Sequence, residues 1–237
     1  MTSYRRYSQP VAALASFSTT FPVAENPMSE GNKLVQGLAD GLLWNNTRSI
    51  AGSPGYAIAT AFSPVGYDDS TCCLKTSVGI SSTRHSCEAT VRRIGGYAPT
   101  DGHEIEILLG FTISPMFNAG YEITHPIGGS PQAARQDGPY GTFTINGAGN
   151  WTDPINGAYN GAVVDGDVVK MTYVVTNGIP KLTYYLNGVY QWDVSDTGVG
   201  KITSGQPGIG FFCRGTGLPA GVLDNFGWRG PWTAATV

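Results

Sequence analysis

Charge is scarce in this chain. Asp, Glu, Lys and Arg make up only 13% of its 237 residues, about half the usual ~25%. That excludes helical coiled coils and charged disordered tails. The net charge is −3, and the only basic pairs are Arg5-Arg6 and Arg92-Arg93. The basic stripe that marks a nucleic-acid binder is therefore missing. No apolar run approaches the roughly 20 residues of a membrane helix. Of the four cysteines, no two have the C-x-x-C spacing of a zinc or redox motif. Helical periodicity is lacking too: the apolar positions of segment 34–43 are cut by Gly37 and Gly41, so it reads as a loop.

Turn formers and aromatics are plentiful. Glycine (33) and proline (15) together supply one residue in five, and tyrosine numbers 12. A hydrophobic content of 41% speaks against wholesale disorder. A chain of this length buries roughly 70% of its unfolded surface and needs neither metal nor disulfide to fold. The expected class is all-β: a two-sheet antiparallel β-sandwich with many turns.

No linker or internal repeat divides the chain, so the reading is an N-terminal arm, 1–16, followed by a single sandwich domain, 17–237. Arg5-Arg6 and the short apolar stretch 11–15, interrupted by Pro10, faintly imitate a secretion signal. They read as an arm and not as a leader. Cys72 and Cys73 are neighbours, so on a strand they point to opposite faces. Buried thiols, or a bridge from either to Cys87 or Cys213, both remain open, with a slight lean toward an oxidising location.

Strand patterns recur every ten to fifteen residues. They cover 16–21, 56–62, 87–92, 103–114, 120–125, 142–145, 167–176, 181–186, 189–194, 208–213 and 222–228. Asn187-Gly188 between two β-rich runs predicts a type I′ hairpin. The longest run, 103–114, puts Ile105, Ile107, Leu109, Phe111 and Ile113 on one face. Glu104 and Glu106 fall on the other, where paired carboxylates suit acid/base work on a sugar.

Three segments together carry a resemblance: His103-Glu104-Ile105-Glu106-Ile107, the Tyr184–Gln191 hairpin, and Gly208–Phe212 followed by Asp224-Asn225-Phe226. With these the chain resembles the concanavalin A-like lectin/glucanase superfamily. The resemblance implies a jelly roll with a concave sheet that holds carbohydrate. Against the laminarinase-like branch, Glu104 matches the nucleophile and Glu106 the helper, but the acid position falls on Leu108 or Leu109. The retaining mechanism needs a second carboxyl about 5–5.5 Å away. Against the alginate-lyase-like branch, His125 and Tyr190 match base and acid, but the arginine and lysine of that pattern are replaced. If the chain is an enzyme, polysaccharide lyase or endo-glycosidase, its catalytic residues are thus Glu104, Glu106, His125 and Tyr190. The balance leans away from catalysis.

The ligand-binding candidates are Glu104, Glu106, Tyr121, Glu122, Arg135, Trp44 and Trp151. The two tryptophans sit beside Asn45-Asn46 and Asn150 in polar contexts, where an aromatic face and amides suit a sugar ring. Equally, they suit a protein interface. Arg135 would fork onto a sugar, or pair with Glu122 or Asp137 to fix the sheet. His125, ahead of Pro126, also reads as a plain turn residue. No cofactor is called for. Asp165 and Asp167 are the calcium candidate, although two carboxylates fall short of a full shell and a plain turn is the simpler reading.

Three functions compete: a glycan-binding module, a polysaccharide-degrading enzyme and a structural surface protein. The first and third combine. The expectation is a non-catalytic carbohydrate-binding jelly roll in an assembly, such as a virion decoration or tail protein. Its partners would be a polysaccharide or surface glycan, and other chains reached by the arm, without nucleic acid or membrane insertion. The location would be extracellular or a virion surface.

Overall fold

The computed structural model describes residues 13–37, 44–45, 47–60, 69–95, 104–113, 118–126, 131–136, 143–145, 162–212 and 225–237. Two sheets of eight strands face each other. The first runs β14 (Val189–Ser195), β13 (Ile179–Leu186), β12 (Val168–Thr176), β7 (Arg84–Arg93), β16 (Phe226–Thr236), β5 (Tyr56–Ala59), β4 (Thr47–Ile50). Strand β1 (Ser16–Thr19) also pairs with β16. The second runs β11 (Phe143–Ile145), β10 (Gln132–Gln136), β9 (Asn118–Pro126), β8 (Glu104–Ile113), β15 (Gln206–Phe212), β6 (Asp69–Leu74), β2 (Leu34–Gln36). Every described pairing is antiparallel except the two-residue contact of β3 (Trp44–Asn45) with β6. The architecture is a jelly-roll β-sandwich. One 3₁₀ turn spans Thr76–Val78.

Alternation explains the core. Ile105, Ile107 and Leu109 of β8, Tyr121 and Ile123 of β9, and Ile209 and Phe211 of β15 point between the sheets. From the other side they meet Val169, Met171 and Tyr173 of β12, and Trp228 and Trp232 of β16. The buried indole N–H groups find partners: Trp228 Nε1 donates to the Glu106 carbonyl at 3.0 Å, and Trp232 Nε1 to Cys87 Sγ at 3.2 Å. Cys72 belongs to this core while Cys73 lies on the outer face of the second sheet. Cys72, Cys73 and Cys87 are free buried thiols, and burial pushes each up to about 12. Cys213 lies outside the described residues.

Strict alternation fails at one point. Phe111 does not join Ile105, Ile107 and Leu109; it clusters with Leu108 and Cys73 on the outer face. The cause is a bulge. Gly110 takes φ +56, and the pairing of β8 with β9 shifts between Leu109 and Thr112. One extra residue reverses the facing of everything after it. Segment 34–36, read as a loop, is instead an edge strand bonded to β6. Residues 1–12 of the arm lie outside the described residues. Ala15 already packs on the core and its carbonyl accepts from Thr236 N at 2.9 Å.

The type I′ turn expected at Asn187-Gly188 is present, with φ 52 and 77. Asn177-Gly178 forms a second turn of the same kind, φ 52 and 72, joining β12 to β13.

Candidate functional site

Register builds a polar patch on the outer face of the second sheet. Glu106 stands opposite Thr124 on one side and Gly210 on the other, and Gly210 is opposite Thr71. One pleat toward the C-terminal end of β8, Leu108 is flanked by Glu122 and Gly208. One pleat the other way, Glu104 is flanked by Pro126 and Phe212. Three carboxyls from two strands thereby converge: an oxygen each of Glu104, Glu106 and Glu122 lies within 4.8 Å of the others. The two glycines keep the neighbouring strand bare. A Cβ on Gly210 would sit 2.2 Å from Glu106 Oε2, so the carboxyl occupies the space that a side chain there would fill.

Crowding and burial set the protonation. Burial raises the Glu104 carboxyl to about 7, with the Thr124 hydroxyl acting in the opposite direction. Glu122 is raised further, by burial first and then by the charge of Glu104, while a hydrogen bond from the Gln136 amide opposes the shift. Like charges this close do not all ionise, so protons are shared near neutral pH. Glu106 and Glu122 are almost wholly buried, whereas Glu104 is half-buried and Gln132, opposite Thr124, is exposed. A ligand therefore reaches Glu104 and Gln132 first. Three carboxylate oxygens are also donors a hard cation takes, fewer than the six or more that calcium requires.

The other sequence candidates lie elsewhere. Tyr121, His125 and Arg135 sit on the inner face of the second sheet, not beside the glutamates. Arg135 lies on the face opposite Glu122: its Nη1 meets Asp196 Oδ2 at 2.5 Å, and Tyr121 OH donates to the same oxygen at 2.8 Å, while Asp137 lies outside the described residues. All three are buried, so Arg135 is a tie between the sheets. His125 packs its ring on Tyr184 and Trp228, with Nδ1 3.2 Å from the Ile105 carbonyl. Burial lowers it to about 4, so it stays neutral, and its ring lies inside the core, on the face away from the glutamates.

Tyr190 is exposed on β14 of the other sheet, its hydroxyl donating to Asp193 at 3.2 Å. The quartet matched to catalysis is thus split over three places. Trp44 pairs with Asp69 in line with Phe212 and Glu104 through its main chain. Trp151 lies outside the described residues. The oxygens of Asp165 and Asp167 accept from N–H donors, including Arg93 N, Arg229 Nη2, Val164 N and Asn187 Nδ2. Glu122 is the residue whose proximity to the other carboxyls sequence spacing did not show, because only the β8–β9 register brings it there.

No protein-family model matches the chain, and no curated protein sequence does. Solved structures do superpose. Peanut lectin with a nine-residue peptide is 14% identical over 95% of this chain and 98% of its own, at a TM-score of 0.47. An endo-1,3-β-glucanase from Streptomyces sioyaensis is 10% identical over 97% and 100%, at 0.47. The CBM2 module of the evolved Dit of Lactobacillus casei BL23 phage J-1 is 10% identical over 94% and 98%, at 0.47. The structural neighbours have the concanavalin A-like jelly-roll fold. The likeness stops at the fold, and ligand and activity rest on this chain's own residues.

Proposed function

We propose that the chain is a non-catalytic carbohydrate-binding protein that meets a polysaccharide or surface glycan on the outer face of its second sheet. In this reading it serves as a surface or structural component of an assembly, such as a virion decoration or tail protein, in an extracellular setting. The observation that carries the binding reading is the proton-sharing cluster Glu104–Glu106–Glu122 beside Gly208 and Gly210. Carboxyls that hold protons near neutral pH both donate to and accept from sugar hydroxyls. Burial of Glu106 and Glu122 speaks against attack on an anomeric carbon.

A glycan array on the full chain, repeated with the Glu104→Ala, Gln132→Ala double variant, tests it. The expected result is binding that falls about tenfold or more, as loss of two direct hydrogen bonds implies. Binding that survives the double variant, or no binding at all, overturns it. For the assembly role, deleting residues 1–12 is expected to abolish assembly while leaving the melting temperature unchanged. Assembly that survives the deletion sinks that role.

One observation favours polysaccharide cleavage instead. Glu122 supplies the second carboxyl that Leu108 and Leu109 do not, and its raised affinity for a proton suits the general acid. Reducing-end release from β-glucans, lost in Glu104→Gln, would establish that alternative.

A further inference from the structure

The charges of the second sheet are one-sided. In its strands the only Lys or Arg is Arg135, and that guanidinium is turned inward onto Asp196. Glu104, Glu106 and Glu122 therefore share the outer face with no basic side chain from their own strands or from the strands beside them. Lys75 follows β6 at the other end of the face, about 20 Å along that strand from the row of Glu104. Its ammonium donates to Asn32 Oδ1.

Donors are as scarce as cations around the cluster. Thr124, 6% exposed, and Gln136, 2% exposed, both reach it. Gln136 Nε2 donates to Glu122 Oε2, and the Thr124 hydroxyl stands close enough to Glu104 to act on its carboxyl. Yet Gln136 Oε1 and Thr124 Oγ1 have no hydrogen-bond partner of good geometry among the described residues. Buried acceptors without donors are costly, and crowded carboxyls without a counter-charge are costlier still. The accessible edge of the cluster is the half-buried Glu104, with exposed Gln132 opposite Thr124.

We propose that the glycan met on this face carries a free amino group, as in a de-N-acetylated polysaccharide. The proposal rests on the glycan-binding reading above and adds the chemical class of the ligand. An ammonium group offers three N–H donors and no acceptor. Held at Glu104, it offsets the repulsion that makes the carboxyls share protons, so that they ionise in its presence. The Gln132 amide bonds a ring hydroxyl of the same glycan. A neutral sugar hydroxyl brings one donor and no charge. A uronate or sulfated sugar brings a like charge, which the face disfavours.

Isothermal titration calorimetry on the full chain tests this at about pH 6, below the roughly 7.7–8.0 of an α-amino group, so that the sugar amine is charged. The probes are oligomers of glucosamine and of galactosamine, their N-acetylated forms, and the parent glucose and galactose oligomers. At least one amino oligomer is expected to bind about tenfold or more tighter than its N-acetylated and parent forms, the margin of a charged hydrogen bond over a neutral one. Added salt should reduce that preference. Glu104→Gln, which keeps the shape and removes the charge, should level the three forms. Gln132→Lys, at an exposed position, should weaken the amino oligomer about twofold or more at low salt.

Equal binding of the three forms, lost in the Glu104→Ala, Gln132→Ala double variant, would sink this inference and leave the glycan-binding reading standing. An amino preference unchanged in both Glu104→Gln and Gln132→Lys would take the ligand off the carboxyl cluster and sink both, as would no binding by any oligomer. Oligolysine bound as tightly as the amino sugar would make the occupant a basic protein segment and overturn the choice of a sugar. Should Glu104→Gln melt below the parent chain, Gln132→Lys alone decides: an unchanged affinity for the amino oligomer overturns the proposal.

Discussion

Asp196 is an acid with two buried donors on one oxygen. Arg135 and Tyr121 come from two adjacent strands of the second sheet, and Asp196 follows the last strand of the hairpin in the first. Removing one partner of a buried pair strands the other charge, which costs about 3–5 kcal/mol. Arg135→Ala should therefore lower the unfolding free energy measured in urea by that much, while Lys181→Ala, whose exposed pair with Asp193 is worth roughly 0–1 kcal/mol, should scarcely change it.

The carboxyl cluster gives a second expectation at this scale. Glu104 titrates near 7 in the folded chain against an ordinary 4.5, and Glu122 is raised as well. The folded state then holds more protons than the unfolded one. The contribution is full below about 4.5 and drains as pH rises through 7. His85 and His125 act in the opposite sense. Both are lowered to about 4 from 6.5 by burial, so their contribution is present above 6.5 and is lost as pH falls through 4. Melting temperature should decline from pH 6.5 to about 8, and Glu122→Gln should flatten that limb. A decline equally steep in Glu122→Gln would refute the proton-sharing account.

Among the elements, β8 shows most plainly how far pattern reasoning reaches. Period-two spacing places Ile105, Ile107 and Leu109 inward and Glu104 and Glu106 outward. It cannot see past Gly110, where the φ of +56 and the shift against β9 reverse the facing. A glycine within a strand is the available sign of such a bulge. The conformation itself costs a non-glycine residue about 1–2 kcal/mol. Here a Cβ would also lie 2.9 Å from the Tyr173 ring. Gly110→Ala should thus destabilise by about 2 kcal/mol or more in equilibrium unfolding. Gly188→Ala, at an open turn with φ 77 and no atom within 4 Å, should cost only the conformational part. Equal losses at the two positions would contradict a packed bulge.

The sandwich as a whole was legible because alternation is local, and the site was only half legible because its assembly is not. Glu104 and Glu106 share one strand, so spacing alone pairs them. Glu122 joins them through register, and Asp196 reaches Arg135 across 61 positions of sequence. His125 was misplaced for a related reason: its strand continues as far as Pro126, so it faces the core and makes no turn. Tyr190 was matched by motif, yet its hairpin belongs to the opposite sheet. Weak strands such as β2, β4 and β10 carry short mixed sequences and take their form from their neighbours.

The pairing of β1 with β16 has a mechanical consequence. Ser16 lies opposite Ala235 and Thr19 opposite Trp232, so the start of one strand and the finish of the other share an end of the sheet. A tensile load drawn through these two ends is borne by one rung of hydrogen bonds at a time, as in a zipper, and not by all rungs in shear. Peeling β1 also lifts Phe17, which lies edge-on to Trp232 at 5.0 Å. In single-molecule pulling from residues 13 and 237, β1 should detach first, as a short step at low force ahead of the main rupture. Phe17→Ala should lower that first force and leave the main one unchanged. A single rupture without a precursor would show that strand to be as firmly held as the rest.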